Sequence, residues 1–234
     1  MQEQFSSPKL RFLVFMENIL DSVDLKKKSD IHWARKIWHM GGVSIIAYIY
    51  SVIPEHWSLI LLTALWMVAV PFDIVRLRWP ALNDFALHLL GPIMRQSEVN
   101  KIAGTTYLVT GVTLVAFLFP RDIVLLTLLF LAFADPIASY FGIRFGKDKI
   151  LGQKSLQGTL AAFFVCAMLS FAFLSFHDLL MDRLVVVSLM SGLIGALAEL
   201  IPIWKLDDNL TLPLVSATAL SILFTLFGAF AAYT

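Results

Sequence analysis

Long apolar runs separated by short polar breaks set the pattern of this chain. Stretches of 17–23 residues at 37–53, 57–75, 102–119, 123–143, 158–176, 184–204 and 211–233 are almost wholly apolar. Each approaches the length of about 20 helical residues that crosses a bilayer. Pro54 and Pro120 end two of them. A mixed stretch, 76–101, interrupts the series. Its apolar middle, 85–94, is too short to cross and predicts a re-entrant or interfacial element. Ahead of the first run, Leu10, Leu13, Val14, Ile19, Leu20 and Val23 share one side of an imperfectly amphipathic helix, followed by Lys26, Lys27 and Lys28. That combination predicts an interfacial helix on an anionic membrane surface.

The expected fold is therefore an all-α integral membrane protein of about seven transmembrane helices. It divides into an N-terminal cytoplasmic segment, 1–36, and a polytopic catalytic domain, 37–234. Composition agrees: 59% of the 234 residues are apolar, and the mean hydropathy is +0.79, too hydrophobic for a soluble domain. With the N-terminus inside, the inner segments hold 16 of the lysines and arginines and the outer segments hold two, Arg121 and Arg183. This asymmetry supports both the span count and the orientation. The net charge of +1 gives no reason to expect a nucleic-acid partner. The lone Cys166 lies in an apolar run and forms no internal disulfide.

Acids inside apolar runs are costly and are usually functional. Counted from the outer end of each span, Asp73, Asp135 and Glu199 lie 16, 13 and 15 residues in, about 20–24 Å at 1.5 Å per residue. All three reach the inner leaflet near the cytoplasmic boundary. Arg35, Lys36 and His39 enter the first span at the same level, and Asp207, Asp208 and Asn209 sit in the tight inner loop before the last span. Between the fourth and fifth spans runs a loop of glycines and cations with Arg144, Lys147, Lys149 and Lys154. An acid for a divalent cation, glycines for close backbone approach and cations for neutralisation suit a phosphate-rich, metal-bound ligand.

Local alternatives exist for several of these groups. Asp73 can pair with Arg76 or Arg78, Glu199 with a neighbouring cation, and Asp207–Asn209 can cap the last helix. Gly142 and Gly146 form a small-xxx-small pair that serves helix packing. The G-x-x-x-G-K spacing at Gly142–Lys147 is not a Walker A loop, and neither a zinc set nor a G-x-S-x-G elbow is present.

Asp135-Pro-x-Ala138, Gly142, Gly146-Lys147, Lys154-Ser155-x-x-Gly158-Thr159 and Glu199-Leu-x-Pro202 followed by Leu206-Asp-Asp-Asn-Leu-Thr-Leu-Pro213 resemble the polyprenol kinase family. That family includes dolichol kinase, phytol kinase and CTP-dependent diacylglycerol kinase, and is distantly similar to phosphatidate cytidylyltransferases. Arg35-Lys36-x-x-His39 and the Arg95…Glu98…Lys101…Gly104 stretch look like its N-terminal half. The resemblance covers about residues 33–216, and the Asp-Asp-Asn-Leu-Thr-x-Pro segment is its most specific part. Where dolichol kinases usually have an acid before the glycine of the Lys-Ser/Thr segment, Gln157 stands here.

The resemblance implies a kinase that uses CTP and a divalent cation such as Mg2+ to phosphorylate a membrane lipid alcohol at the cytoplasmic face. It implies catalytic or metal-binding roles for Asp135, Asp207 and Asp208. Glu199 is expected to orient a lysine or to activate the hydroxyl. Arg35, Lys36, His39, Gly142, Gly146, Lys147, Lys154, Ser155, Gly158, Asn209 and Thr211 are expected around the nucleotide and its phosphates. Two other readings compete. A phosphatidate cytidylyltransferase-type enzyme would share CTP and the metal but release pyrophosphate. A transporter would use Asp135 and Glu199 as coupling sites, against which stand the lack of repeats and of polar residues in the outer half.

Overall fold

A computed structural model describes residues 33–204 and 206–229. The expected interfacial helix lies outside these residues. The described chain is built of eight α-helices: α1 (Trp33–Val52), α2 (Glu55–Arg76), α3 (Pro80–Leu90), α4 (Gly104–Leu118), α5 (Arg121–Phe145), α6 (Leu156–Phe176), α7 (Leu184–Leu200) and α8 (Asp208–Leu226). Each of the seven apolar runs coincides with a helix, and α3 falls on the short apolar middle of the mixed stretch. Five segments are long and apolar enough to cross a membrane: α2, α5, α6, Met181–Leu200 (α7 with the short turn before it) and α8. The apolar helix α4 is shorter, with 15 residues, about 22 Å long. Among the described residues α1 includes Arg35 and Lys36.

Helix α5 is the axis of the molecule. Ile123, Val124, Leu126, Leu128, Phe130, Leu131, Ala132 and Ala134 on it are fully buried. It packs against α1, α6 and α8, while α6 packs on α7, α7 on α8, and α4 on both α8 and α2. Leu212, Ala217, Leu220 and Phe224 of α8 and Val112 and Val115 of α4 complete the same core. The surface facing outward is rich in exposed Leu, Ile, Val, Phe and Trp, as a lipid-facing surface requires.

One departure from pure helix lies between α5 and α6. Strands β1 (Lys149–Leu151) and β2 (Lys154–Ser155) form an antiparallel hairpin. Gly152 turns it with φ of +57°, a conformation that favours glycine. Ser155 ends the hairpin and caps α6, its hydroxyl accepting from the Gly158 amide at 3.2 Å. A Cβ at Gly158 would lie 2.7 Å from the Ala138 carbonyl oxygen and 3.3 Å from Gly142 Cα. The glycines at 142 and 158 thus let α6 and its cap press against the end of α5.

Candidate functional site

Pro136 interrupts α5 one residue after Asp135, removing a backbone donor from that turn. Helix α1 donates to groups near that turn. His39 Nε2 donates to the Leu131 carbonyl at 2.8 Å. Lys36 Nζ donates to the Pro136 carbonyl and to Ser139 Oγ, each at 2.9 Å. These bonds bring α1 alongside the turn that carries Asp135.

From the other side comes Lys154 of the hairpin. Its Nζ lies 2.5 Å from Glu199 Oε1 on α7 and 3.2 Å from Asp208 Oδ2 on α8. Burial alone would lower the Lys154 pKa, but Glu199, Asp135 and Asp208 outweigh it and raise it above the ordinary lysine value. Asp207 caps α8, its Oδ1 accepting from the Asn209 amide at 3.0 Å. Its neighbour Asp208 is left to face Lys154.

Asp135 therefore has four cationic or protonatable groups acting on it, Lys154, His39, Lys36 and Arg95. It is partly buried, yet its carboxylate makes no hydrogen bond or ion pair with any described residue. Glu199 and Asp208 share Lys154, and Asp207 is engaged as a cap. Of the four candidate acids, only Asp135 keeps both oxygens available.

The remaining expected residues divide between this centre and its scaffold. Arg35 reaches the Ile93 carbonyl at 3.0 Å and Glu98 Oε2 at 2.9 Å. Asn209 Nδ2 donates to the Gly104 carbonyl at 3.1 Å, tying α8 to α4. Thr211 is buried, with its hydroxyl turned back to the Asp207 carbonyl. Gly146 packs against Ser155 and the Gly142 carbonyl. Lys147 is exposed, and its amide is held by Gln157 Oε1 at 3.2 Å.

Asp73, grouped with these acids by its place along its span, belongs to a separate network. It takes Arg76 Nε at 2.6 Å, Thr106 Oγ1 at 2.7 Å and the Ala103 amide at 2.8 Å. That set anchors the start of α4.

Two residues outside the expected set join the site, Glu98 and Arg95. Glu98 is buried and holds Arg35 and the Arg95 amide. The signal available for them was the acid three residues past a cation, just before the glycine that opens α4.

Among the described residues no three or more His, Cys, Asp or Glu side chains converge as a metal cage. Magnesium asks for less than a cage, since it is commonly held by one or two carboxylates together with substrate phosphates. An available Asp135 fits that requirement.

No family model matches the chain, and no solved structure matches it. Curated relatives do. The chain is 35% identical over 161 residues to "CTP-dependent diacylglycerol kinase 1" of Schizosaccharomyces pombe, covering 64% of this chain and 74% of that protein. It is 30% identical over 204 residues to the protein of the same name in Eremothecium gossypii, covering 78% of this chain and 64% of the relative. Against that of Saccharomyces cerevisiae it is 26% identical over 206 residues, covering 78% and 70%. With a relative this similar across nearly three quarters of its length, the chain belongs to the polyprenol kinase family, in which the CTP-dependent diacylglycerol kinases lie.

Proposed function

We propose that this protein is a CTP-dependent lipid kinase that moves the terminal phosphate of CTP onto the hydroxyl of diacylglycerol in the inner leaflet. The observation that carries the reading is the state of Asp135. It is a carboxylate without a direct partner among the described residues, surrounded by Lys36, His39, Arg95 and Lys154. Phosphoryl transfer asks the protein mainly for positioning and charge stabilisation, and that is what this arrangement offers. The names of the relatives favour CTP as donor and diacylglycerol over phytol or a polyprenol as acceptor.

The residues take the following parts in this reading. Lys154, fixed by Glu199 and Asp208, is a positioned cation for a phosphate. Lys36 presents a second ammonium next to the Pro136 turn. Asp135, with Asp208 beside Lys154, would hold magnesium, which when bound neutralises phosphate charge. Glu199 acts through Lys154, because it is buried against it. Gln157 staples the hairpin: its Nε2 donates to Asp148 Oδ2 at 2.8 Å while its Oε1 accepts from Lys147 N. An acid at 157 could not donate to Asp148 in this way.

The same reading places the seven helices α1, α2 and α4–α8 across the bilayer with the N-terminus inside. The site then faces the cytosol, where the nucleotide is, and the alcohol enters sideways from the inner leaflet. The 16-to-2 distribution of cations supports this orientation.

The test is an assay of the purified protein with radiolabelled CTP or ATP against diacylglycerol, phytol and a polyprenol. Phosphatidate and CDP are the expected products. Release of pyrophosphate with a CDP-lipid would replace the kinase reading by a cytidylyltransferase. Equal use of ATP would overturn the donor assignment.

A further inference from the structure

Three arginines meet at the connector 91–103 between α3 and α4, and two of them bond to described residues. Arg76, 2% exposed, pairs with Asp73 and gives its other donors to Asn83 Oδ1 and to the carbonyls of Glu98, Val99 and Lys101. Arg35 reaches across from α1 to the Ile93 carbonyl and the Glu98 carboxylate. Both therefore hold the connector in place, and each has its own acid.

Arg95 sits between the two points that Arg35 grips. Its backbone is extended, with φ of −93° and ψ of 151°, and its amide donates to Glu98 Oε2 at 3.1 Å. The residue before it, Met94, is 4% exposed, and Glu98 is 6% exposed. The main chain at Arg95 is thus fixed from both sides. Arg95 as a residue is only partly exposed, and its guanidinium donates no hydrogen bond to, and makes no ion pair or ring contact with, any described residue. Arg35, the neighbour of Lys36 on α1, grips the connector on either side of Arg95, and the charge of Arg95 acts on Asp135 of α5 and on Lys36.

Such an arrangement suits an anion. A guanidinium carries five donors, and those of Arg95 are spent on no described residue. Lys36 adds a like charge nearby. An anion with several oxygens uses the donors and relieves the repulsion, and a guanidinium grips phosphate oxygens in bidentate fashion. Before transfer, diacylglycerol is an uncharged alcohol. Only the nucleotide brings negative charge to the site.

The geometry points to Arg95 as a further substrate-contact residue, binding the non-bridging oxygens of the terminal phosphates of the nucleotide. The inference rests on the CTP-kinase reading and adds to it a residue and a ligand group. Arg95 holds the phosphate that leaves, and the connector, locked by Arg35 and Arg76, fixes where Arg95 stands.

The experiment uses the full chain in detergent with diacylglycerol. Arg95→Ala is expected to lower kcat/KM for CTP by about 10- to 100-fold, the range for hydrogen bonds to a charged group, with KM for diacylglycerol unchanged. The rise in melting temperature on adding CTP should shrink, and inhibition by inorganic pyrophosphate should weaken. Arg95→Lys should recover part of the loss, since it keeps the charge but not the fork. Arg95→Gln, which keeps much of the side-chain length, carries the same test if Arg95→Ala fails to fold. A folded variant with unchanged kcat/KM for CTP would overturn the inference. So would a loss confined to KM for diacylglycerol, or a failure of both variants to fold, which would mark Arg95 as scaffold. If the wild type itself does not use CTP, the functional reading fails, and the assay shows this before any variant is made.

Discussion

Lys154 Nζ donates to Glu199 Oε1 across 2.5 Å, joining the hairpin after α5 to the C-terminal end of α7. Glu199 is nearly sealed from solvent and Lys154 is a quarter exposed. Breaking a buried pair from one side strands the other charge, at about 3–5 kcal/mol. Lys154→Met should therefore lower the melting temperature as well as the activity. Glu199→Leu should destabilise less, because Asp208 remains to hold Lys154. The double variant Lys154→Met/Glu199→Leu should recover stability and stay inactive. Thermal unfolding alongside activity per folded molecule checks this. Recovery of activity in the double variant would mean that Lys154 serves only to neutralise Glu199.

The raised pKa of Lys154 has a pH consequence with a definite sign. A group whose folded pKa lies above its unfolded value stabilises fully below the unfolded value, about 10.4 for lysine, and loses that contribution only as pH rises through the folded pKa. Lys154 is on the raised side, because the three acids around it outweigh burial. Between pH 6 and 9, stability should show no step that Lys154→Met removes. Melting curves of the two proteins across that range should stay parallel, and a convergence near neutral pH would contradict the assignment.

Position along a helix was legible in the sequence, whereas direction around the bundle was not. Counting from span ends grouped Asp135 with Glu199, and in the structure Glu199 bonds Lys154 while Asp135 acts on the same lysine through its charge alone. The same count grouped Asp73 with them, but it turns to Arg76 and the start of α4 instead. Height follows from residue number along a helix, but azimuth depends on which neighbour each face packs against. Arg95 and Glu98 lie in a connector of 3₁₀ turns, where neither helical nor strand periodicity gives a face. The hairpin escaped for a similar reason, since strands of three and two residues are too short to leave a pattern. The cap at Asp207 was readable because it depends only on the residues that follow it.

The Asp73 network gives a prediction opposite in kind to those for the site. Arg76 is buried with all its partners in place. Asp73→Ala removes its acid and should destabilise the protein by about 3–5 kcal/mol. Activity per folded molecule should hold at temperatures where the variant is folded. A selective loss of turnover with an unchanged melting temperature would move Asp73 into the catalytic centre.

Topology is open to labelling. Lys149 on the hairpin and Asp178 after α6 are both exposed, whereas Ser155 is 2% exposed and would label poorly. In a Cys166→Ala background, Lys149→Cys should react from the cytoplasmic side of sealed vesicles and Asp178→Cys from the other side. Reaction of both from one face would exclude a single crossing by α6, and with it the seven-span order.

The sharpest prediction concerns Asp135. Asp135→Asn keeps the shape of the side chain and removes its charge. No described group relies on that carboxylate for a hydrogen bond, and both lysines that act on it have other partners: Lys36 has Ser139 and the Pro136 carbonyl, and Lys154 has Glu199 and Asp208. A neutral amide is also cheaper to hold at this depth than a carboxylate. The variant should therefore melt at or above the temperature of the wild type. Activity should nevertheless fall by two or more orders of magnitude, because stabilising transition-state charge through a metal is worth several kcal/mol. The added stability that magnesium and CTP together give the wild type should be lost as well. The measurement is turnover per folded molecule, with melting temperature recorded in the presence and absence of both ligands. A variant that is destabilised in proportion to its lost activity would make Asp135 a structural group. One that is stable and nearly fully active would take the acid out of the reaction, and the proposed site would lose its centre.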